Sequence, residues 1–455
     1  MWRPKRLSSS ILTLILLVLA TAPGYAKELT SNQSWSGKVE LKESLTVPVG
    51  ATLTIKAGTR VTALEPTVKL TVRGKLLIQG SKNKPVILTA SSSWEGVEFM
   101  EGEKGSRLSW AEFRAVKAAI TSFASDFKVE HCSFKDGEFG VRLMRDSSPL
   151  IVDSRFENVQ IGVANEMKSA AIIQRNRFIN SSRSAILTSH GSRGSISGNH
   201  FENNENAIAV LQKYPQRIGD NTFINNKVAI YCNQSQSTPL IEDNRFEGND
   251  IAVQNLSFAY PAIKNNRFSK NKTAIHNDQY GSPLVQNNLF SSNEMALYNY
   301  RKSNPTVLNN SFEQNQLAML CDFSSYPEVR DNHFLGNKMG VKLGIFQSAD
   351  WEKRSGSKSI MQRQSGQRKT KNPLLAQAPD EFSDFVDVSS NWWGDDTAKL
   401  KQAGAEGNAA IFHDRHDQPE VTYPDYGPGV YTLDRIVFAP WLDAPVDNVG
   451  PKETP

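Results

Sequence analysis

Asp220 and Asp243 lie 23 residues apart in closely similar surroundings, GDNTF and EDNRF. Brought one above the other, they would form a carboxylate pair suited to acid–base work at a glycosidic bond. The same pair could ligate Ca²⁺ through oxygen. A second group contains Tyr231, His276, Asp278, Tyr298, Tyr300 and Asp322, with Tyr260, Tyr280 and Tyr326 nearby. Aromatic faces beside carboxylates and an imidazole suit stacking on sugar rings and hydrogen bonding to hydroxyls. In a third group, His413 and His416 lie three apart, so one helical face could present both to a metal. The favoured reading of the pair is a solvated charged segment, and no cofactor or metal is assigned.

These residues become neighbours only if the chain repeats, and it does. A phenylalanine recurs at 134, 156, 178, 201, 223, 246, 268, 290, 312 and 334, in steps of 22 or 23 residues, and Phe113 begins the series. Five positions before it, every residue from Val129 to Val329 is Val or Ile. Two before it, Asn occurs eight times running from Asn176 to Asn332, and three after it seven times from Asn204 to Asn337. Six after it comes Gly or Ala, a column that Ser184 breaks. A fixed period of this length signals stacked units. The apolar positions lack the i, i+3, i+4 pattern of a helix. They sit in short β-branched pieces punctuated by Asn, Gly and Pro, which is strand–turn–strand.

The expected fold is all-β: a single-stranded right-handed parallel β-helix of 22-residue coils, closed by a C-terminal cap. Crossovers between parallel strands are right-handed. Asn suits tight corners and, stacked along the axis, can form amide ladders. Residues 27–345 make the solenoid, with a less regular start. Residues 346–384 form a flexible insertion whose stretch 352–372 has seven Lys or Arg and one Glu. Residues 385–455 supply a last strand, with NWWG (391–394) plugging the open end, and the cap. Cys232 and Cys321 share a column four coils apart, roughly 19 Å at about 4.8 Å per coil. Cys132 lies in another column, so all three cysteines are expected to be buried thiols.

Around the phenylalanine column, Asp153, Arg175, Asp220 and Asp243 lie three before, Arg155, Arg177, Arg245 and Arg267 one before, and Glu157, Glu202 and Glu247 one after. Asp220 and Asp243 therefore have a competing reading as members of a surface ion-pair lattice. Residues 1–26 read as a signal peptide: Arg3, Lys5 and Arg6, an apolar ILTLILLVLA, then small residues before a cleavage site after Ala26. Its loss takes the formal charge from +5 to +2. No stretch of the mature chain is long and apolar enough to span a bilayer. A nearly balanced charge and export disfavour nucleic acid as a partner. The expected location is periplasmic or secreted.

LTIKAGTRV, LTVRGKLLIQGSKNKPVILTAS and WEGVEF resemble the opening coils of exported bacterial right-handed parallel β-helix repeat proteins of the pectate-lyase-like superfamily. The N-x-F-x-x-N-x-x-A-I phrase is similar to their central repeat, and NWWG with VFAPWL to their closing segment. The resemblance spans roughly 45–345 and returns at 385–445. It implies the fold and leaves three functions open. One is a non-catalytic protein presenting a surface to a polysaccharide or cell-envelope partner. Another is a polysaccharide lyase, hydrolase or epimerase acting on an acidic glycan, with Asp220 and Asp243 as the catalytic candidates. The third is a periplasmic assembly or metal-maturation accessory.

Overall fold

A computed structural model describes residues 26–212, 214, 216–235, 238–354 and 383–452. Most of the signal segment and most of the basic stretch at 352–372 lie outside them. The chain winds as a parallel β-solenoid with three short strands per coil. These strands stack into three parallel sheets, here A, B and C, of 16, 14 and 14 strands. One coil shows the rule. Leu240–Glu242 lies in sheet B, Arg245–Glu247 in sheet C and Ile251–Leu256 in sheet A. Each strand pairs in register with its equivalent one coil on, so Ile241 meets Ile263 and Phe246 meets Phe268.

Side chains alternate across each strand, so every second one points into the solenoid. The phenylalanine column is fully buried and stacked: from Phe113 to Phe334, neighbouring ring centroids lie 4.5–5.1 Å apart. The rings explain the small residues six positions on. A Cβ built on Gly140 would come within 2.7 Å of the Phe156 ring. Ser184 does not break this column. Its coil carries one extra residue, and the pairing of Ile161 with Ser184 and Val163 with Ile186 puts Ala185, fully buried, in the small slot.

Both asparagine columns are buried ladders. Asn244 receives on Oδ1 the backbone N–H of Asn221 (3.0 Å) and its side-chain amide (3.1 Å), and gives its own Nδ2 to Asn266 Oδ1 (3.0 Å). The left-handed corner falls one residue earlier, at Asp220 (φ 57°), Asp243 (φ 56°) and Asn265 (φ 55°). Ladder asparagines thus satisfy backbone at the bends, and their neighbours make the bends.

NWWG forms one more rung. Asn391 accepts from Asn332 as the ladder's last member. Trp393 covers the final phenylalanine, with centroids 4.3 Å apart and planes 12° apart. The described residues between Leu343 and Asn391, 344–354 and 383–390, thus make an excursion from the solenoid. The excursion opens with helix α1 (Ala349–Arg354), whose Trp351 and Glu352 are buried. The cap adds helix α2 (Thr397–Ala403) and an antiparallel pair, Glu420–Thr422 with Val430–Thr432. Cys132, Cys232 and Cys321 are all free and buried. Among the described residues no helix is long and apolar enough to cross a membrane.

Candidate functional site

The second group of residues converges on sheet A. In its strands Thr273–Asp278, Met295–Asn299 and Leu317–Cys321, His276 registers with Tyr298, and Tyr298 with Leu320. Two residues along, Asp278, Tyr300 and Asp322 continue adjacent rungs: the Tyr300 N–H donates to Asn277 and the Asp322 N–H to Asn299 (both 2.9 Å). Tyr231 lies two rungs before His276, with Gln254 between them.

The His276 ring stacks on Tyr298 at 4.7 Å and 7°. Tyr300 follows at 5.5 Å, tilted, and meets Phe323 edge-on at 5.8 Å. Phe346 lies 5.3 Å from Phe323 and leads to Tyr426 at 6.3 Å, which is 57% exposed. The run therefore continues from the solenoid into the cap. Arg301 lies over Tyr300 at 5.1 Å and closes on Asp278 with two N–H groups, Nε to Oδ1 at 2.6 Å and Nη2 to Oδ2.

Asp278 and Asp322 do not stand out from the sheet as alternation alone implies. Asp278 is buried against Arg301. Asp322 turns Oδ1 to the backbone N–H groups of Phe323 (2.8 Å) and Phe346 (2.9 Å). Burial pushes its carboxyl up to about 6, although both N–H groups pull it down. Burial also lowers the His276 imidazole and raises the Tyr298 and Tyr300 hydroxyls, the two tyrosines being raised further by Asp322. His276 Nε2 is buried with no hydrogen-bond partner. The arrangement gathers partly buried aromatic rings, hydroxyls, a desolvated carboxylate and an imidazole on one surface.

Sequence reasoning missed Arg301, Phe323 and Phe346. Arg301 and Phe323 occupy left-handed corners (φ 44° and 54°), outside the repeated phrase. The signal available for them was their position one residue after Tyr300 and Asp322. A third amide column was also missed. Asn255, Asn277 and Asn299 hydrogen-bond in series inside sheet A, and Asn299 reaches Cys321 Sγ at 3.7 Å.

Asp220 and Asp243 are adjacent corners bridged by Arg217. Its Nη1 reaches Asp220 at 2.7 Å, Nη2 reaches Asp243 at 3.0 Å and Nε reaches Glu242 at 2.5 Å. Burial, then the charge of Glu242, raises the Asp243 carboxyl against the pull of Arg217. Related pairs are Arg245 with Glu247, in the coil of Asp243, and Arg175 with Asp153, on earlier coils. His413 and His416 share no helix. His413 ends a short strand, and His416 sits in a turn with Nδ1 3.0 Å from Asp414. Among the described residues no group of three His, Cys, Asp or Glu side chains could hold a metal ion.

Residues 80–259 match the family model described as periplasmic copper-binding protein (NosD), and residues 218–349 match the model of a right handed beta helix region. Comparison with curated proteins gives no significant match. Solved structures similar to this chain include the catalytic domain of a GH87 α-1,3-glucanase in complex with nigerose. It is 12% identical with a TM-score of 0.35, covering 69% of this chain and 64% of that one. A PL6 family alginate lyase, AlyGC, is 12% identical with a TM-score of 0.31, covering 68% and 53%. Pectate lyase Pel9A is 15% identical with a TM-score of 0.23, covering 63% and 72%. The chain thus spans under two thirds of the length of the glucanase and of AlyGC. Three stacked parallel sheets and coils of about 22 residues, with the family-model match over 218–349, make the fold of this chain a right-handed parallel β-helix.

Proposed function

We propose that this is a non-catalytic protein of the periplasm or cell exterior that binds a polysaccharide along sheet A. The observation carrying the reading is the aromatic run from His276 through Tyr298, Tyr300, Phe323 and Phe346 to Tyr426. A scaffold needs no such sequence change from coil to coil, and the rings of Tyr298 and Tyr300 are only partly buried. The nearest alternative is catalysis at Asp220 and Asp243. It requires releasing both carboxylates from Arg217, which holds them as acceptors. The periplasmic location draws support from the NosD match, which also favours a second reading as an accessory protein.

Affinity electrophoresis of the full chain through a panel of soluble polysaccharides tests the main reading. Retardation is expected in at least one gel. Tyr298→Ala/Tyr300→Ala should weaken it about tenfold, since each stacked ring contributes about 0.5–1.5 kcal/mol. A wild-type chain that migrates freely through every gel, or a double variant retarded like wild type, would count against the reading. Copper titration of the same protein tests the accessory reading, which needs tight stoichiometric binding.

A further inference from the structure

We propose that the aromatic run selects an uncharged glycan, and that Asp322 is the residue reading its hydroxyls. This rests on the glycan-binding reading above and adds to it a ligand class and a specificity residue. The cations beside the rings, Arg301, Lys302 and Arg354, are already engaged, and Lys342 stands exposed one rung beyond Leu320. Arg301 is closed on Asp278. Lys302 Nζ lies 3.2 Å from Glu352, and Arg354 lies 2.9 Å from Asp350. A uronate chain would have to take these cations from carboxylates, and it would meet Asp322 as a like charge.

An uncharged glycan brings hydroxyl donors, which Asp322 is placed to receive. Both backbone N–H groups reach Oδ1, and among the described residues none donates to Oδ2. Gly344 makes the room. A Cβ there would sit 2.2 Å from Asp322 Cγ and 2.5 Å from Oδ2. Asp322 occupies the rung after Tyr300, so a sugar resting against the exposed part of that ring lies near the carboxylate. A carboxylate partly withdrawn from water is a strong acceptor for a neutral hydroxyl.

The test compares soluble neutral glucans and mannans with polygalacturonate and alginate, each with Ca²⁺ and with chelator, on wild type, Tyr298→Ala/Tyr300→Ala and Asp322→Asn. Asp322→Asn keeps the Oδ1 contacts and replaces the second acceptor by a donor, and its thermal midpoint checks folding. The expected result is binding of a neutral glycan, indifferent to Ca²⁺ and about tenfold weaker both in the tyrosine variant and in Asp322→Asn. Tyrosine-dependent binding of uronates in preference to neutral chains, with or without Ca²⁺, would overturn the inference and leave the glycan-binding reading standing. Neutral binding unaffected by Asp322→Asn would overturn the role of Asp322. Failure to bind any polysaccharide would remove the underlying reading, and the inference with it.

Discussion

A buried primary amide must place two donors and an acceptor at once, and few positions in a fold allow it. Asn244 does so completely. Its Nδ2 reaches the carbonyls of Ile218 and Glu242 (both 2.9 Å) besides Asn266, while its Oδ1 holds Asn221. Replacing it with Ala strands the buried N–H of Asn221 and two carbonyls. Asn244→Ala should therefore lose roughly 2–4 kcal/mol in urea denaturation, each orphaned group costing about 1–3 kcal/mol at most. Asn244→Asp should lose more, because it turns a carboxylate oxygen toward those carbonyls. An alanine variant with the wild-type midpoint would mean the ladder is decoration. The three thiols make a second residue-scale case, since burial pushes each up to about 12. A thiol reagent should find no reactive cysteine in the native chain and three after denaturation, with no prior reduction. One thiol protected until reductant is added would refute the free-cysteine assignment.

At the scale of elements, the joint between cap and solenoid depends on Asp434. It is fully buried, accepting from the Ala349 N–H (2.8 Å), the Tyr326 hydroxyl (2.9 Å) and the Gln347 amide (3.2 Å). Burial raises its carboxyl from 3.8 to about 7, against the pull of those donors and of Arg415. Because the folded value lies above the unfolded one, the stability it confers is complete below the ordinary carboxylate value. That stability is lost as pH rises toward 7, a difference on the order of a few kcal/mol. Protection factors around 347–351 and 432–436, measured against the intrinsic exchange rate at each pH, should accordingly be lower at pH 8 than at pH 5, and Asp434→Asn should flatten the contrast. An unchanged contrast in the variant would assign the effect to other groups, Asp322 first. None of this joint could be read from the sequence. Asp434 shares no column with its partners, which come from a solenoid corner and the excursion. Helix α1 was hidden too, because ADWEKR reads as the start of a basic stretch and only its packing shows Trp351 and Glu352 turned inward. NWWG was legible as a plug through its composition. That it repeats N-x-F with Trp393 in the phenylalanine slot became visible only when the excursion was set aside.

Over the whole molecule, legibility follows periodicity. The repeat placed His276 beside Tyr298 and Asp278 beside Tyr300 because side chains one period apart occupy adjacent rungs. It said nothing of Arg301 swinging back onto Asp278, since a long side chain at a corner can reach either neighbouring coil. The same logic makes the coil, and not the residue, the unit that can be removed. Deleting 241–262, one full period, joins Leu240 to Ile263. It should bring Asn266 onto Asn221 and Phe268 onto Phe223, the partners Asn244 and Phe246 had. Only one nearest-neighbour interface and one unit are lost, so the shortened chain should fold with a modest drop in midpoint. Deleting 241–251, half a period, removes the sheet B and sheet C strands of one coil and leaves its sheet A strand. One extra residue is taken up between strands, as the coil of Ser184 shows, but half a coil is not. Phe268 would lose its partner in the stack and Asn266 its partner in the ladder. The shorter deletion should aggregate or remain unfolded by circular dichroism, while the longer one gives a wild-type strand spectrum. The run from His276 to Tyr426 lies beyond the cut, so the 22-residue deletion should also keep whatever polysaccharide binding the full chain shows. Equal behaviour of the two deletions would mean that register is not what holds this solenoid together.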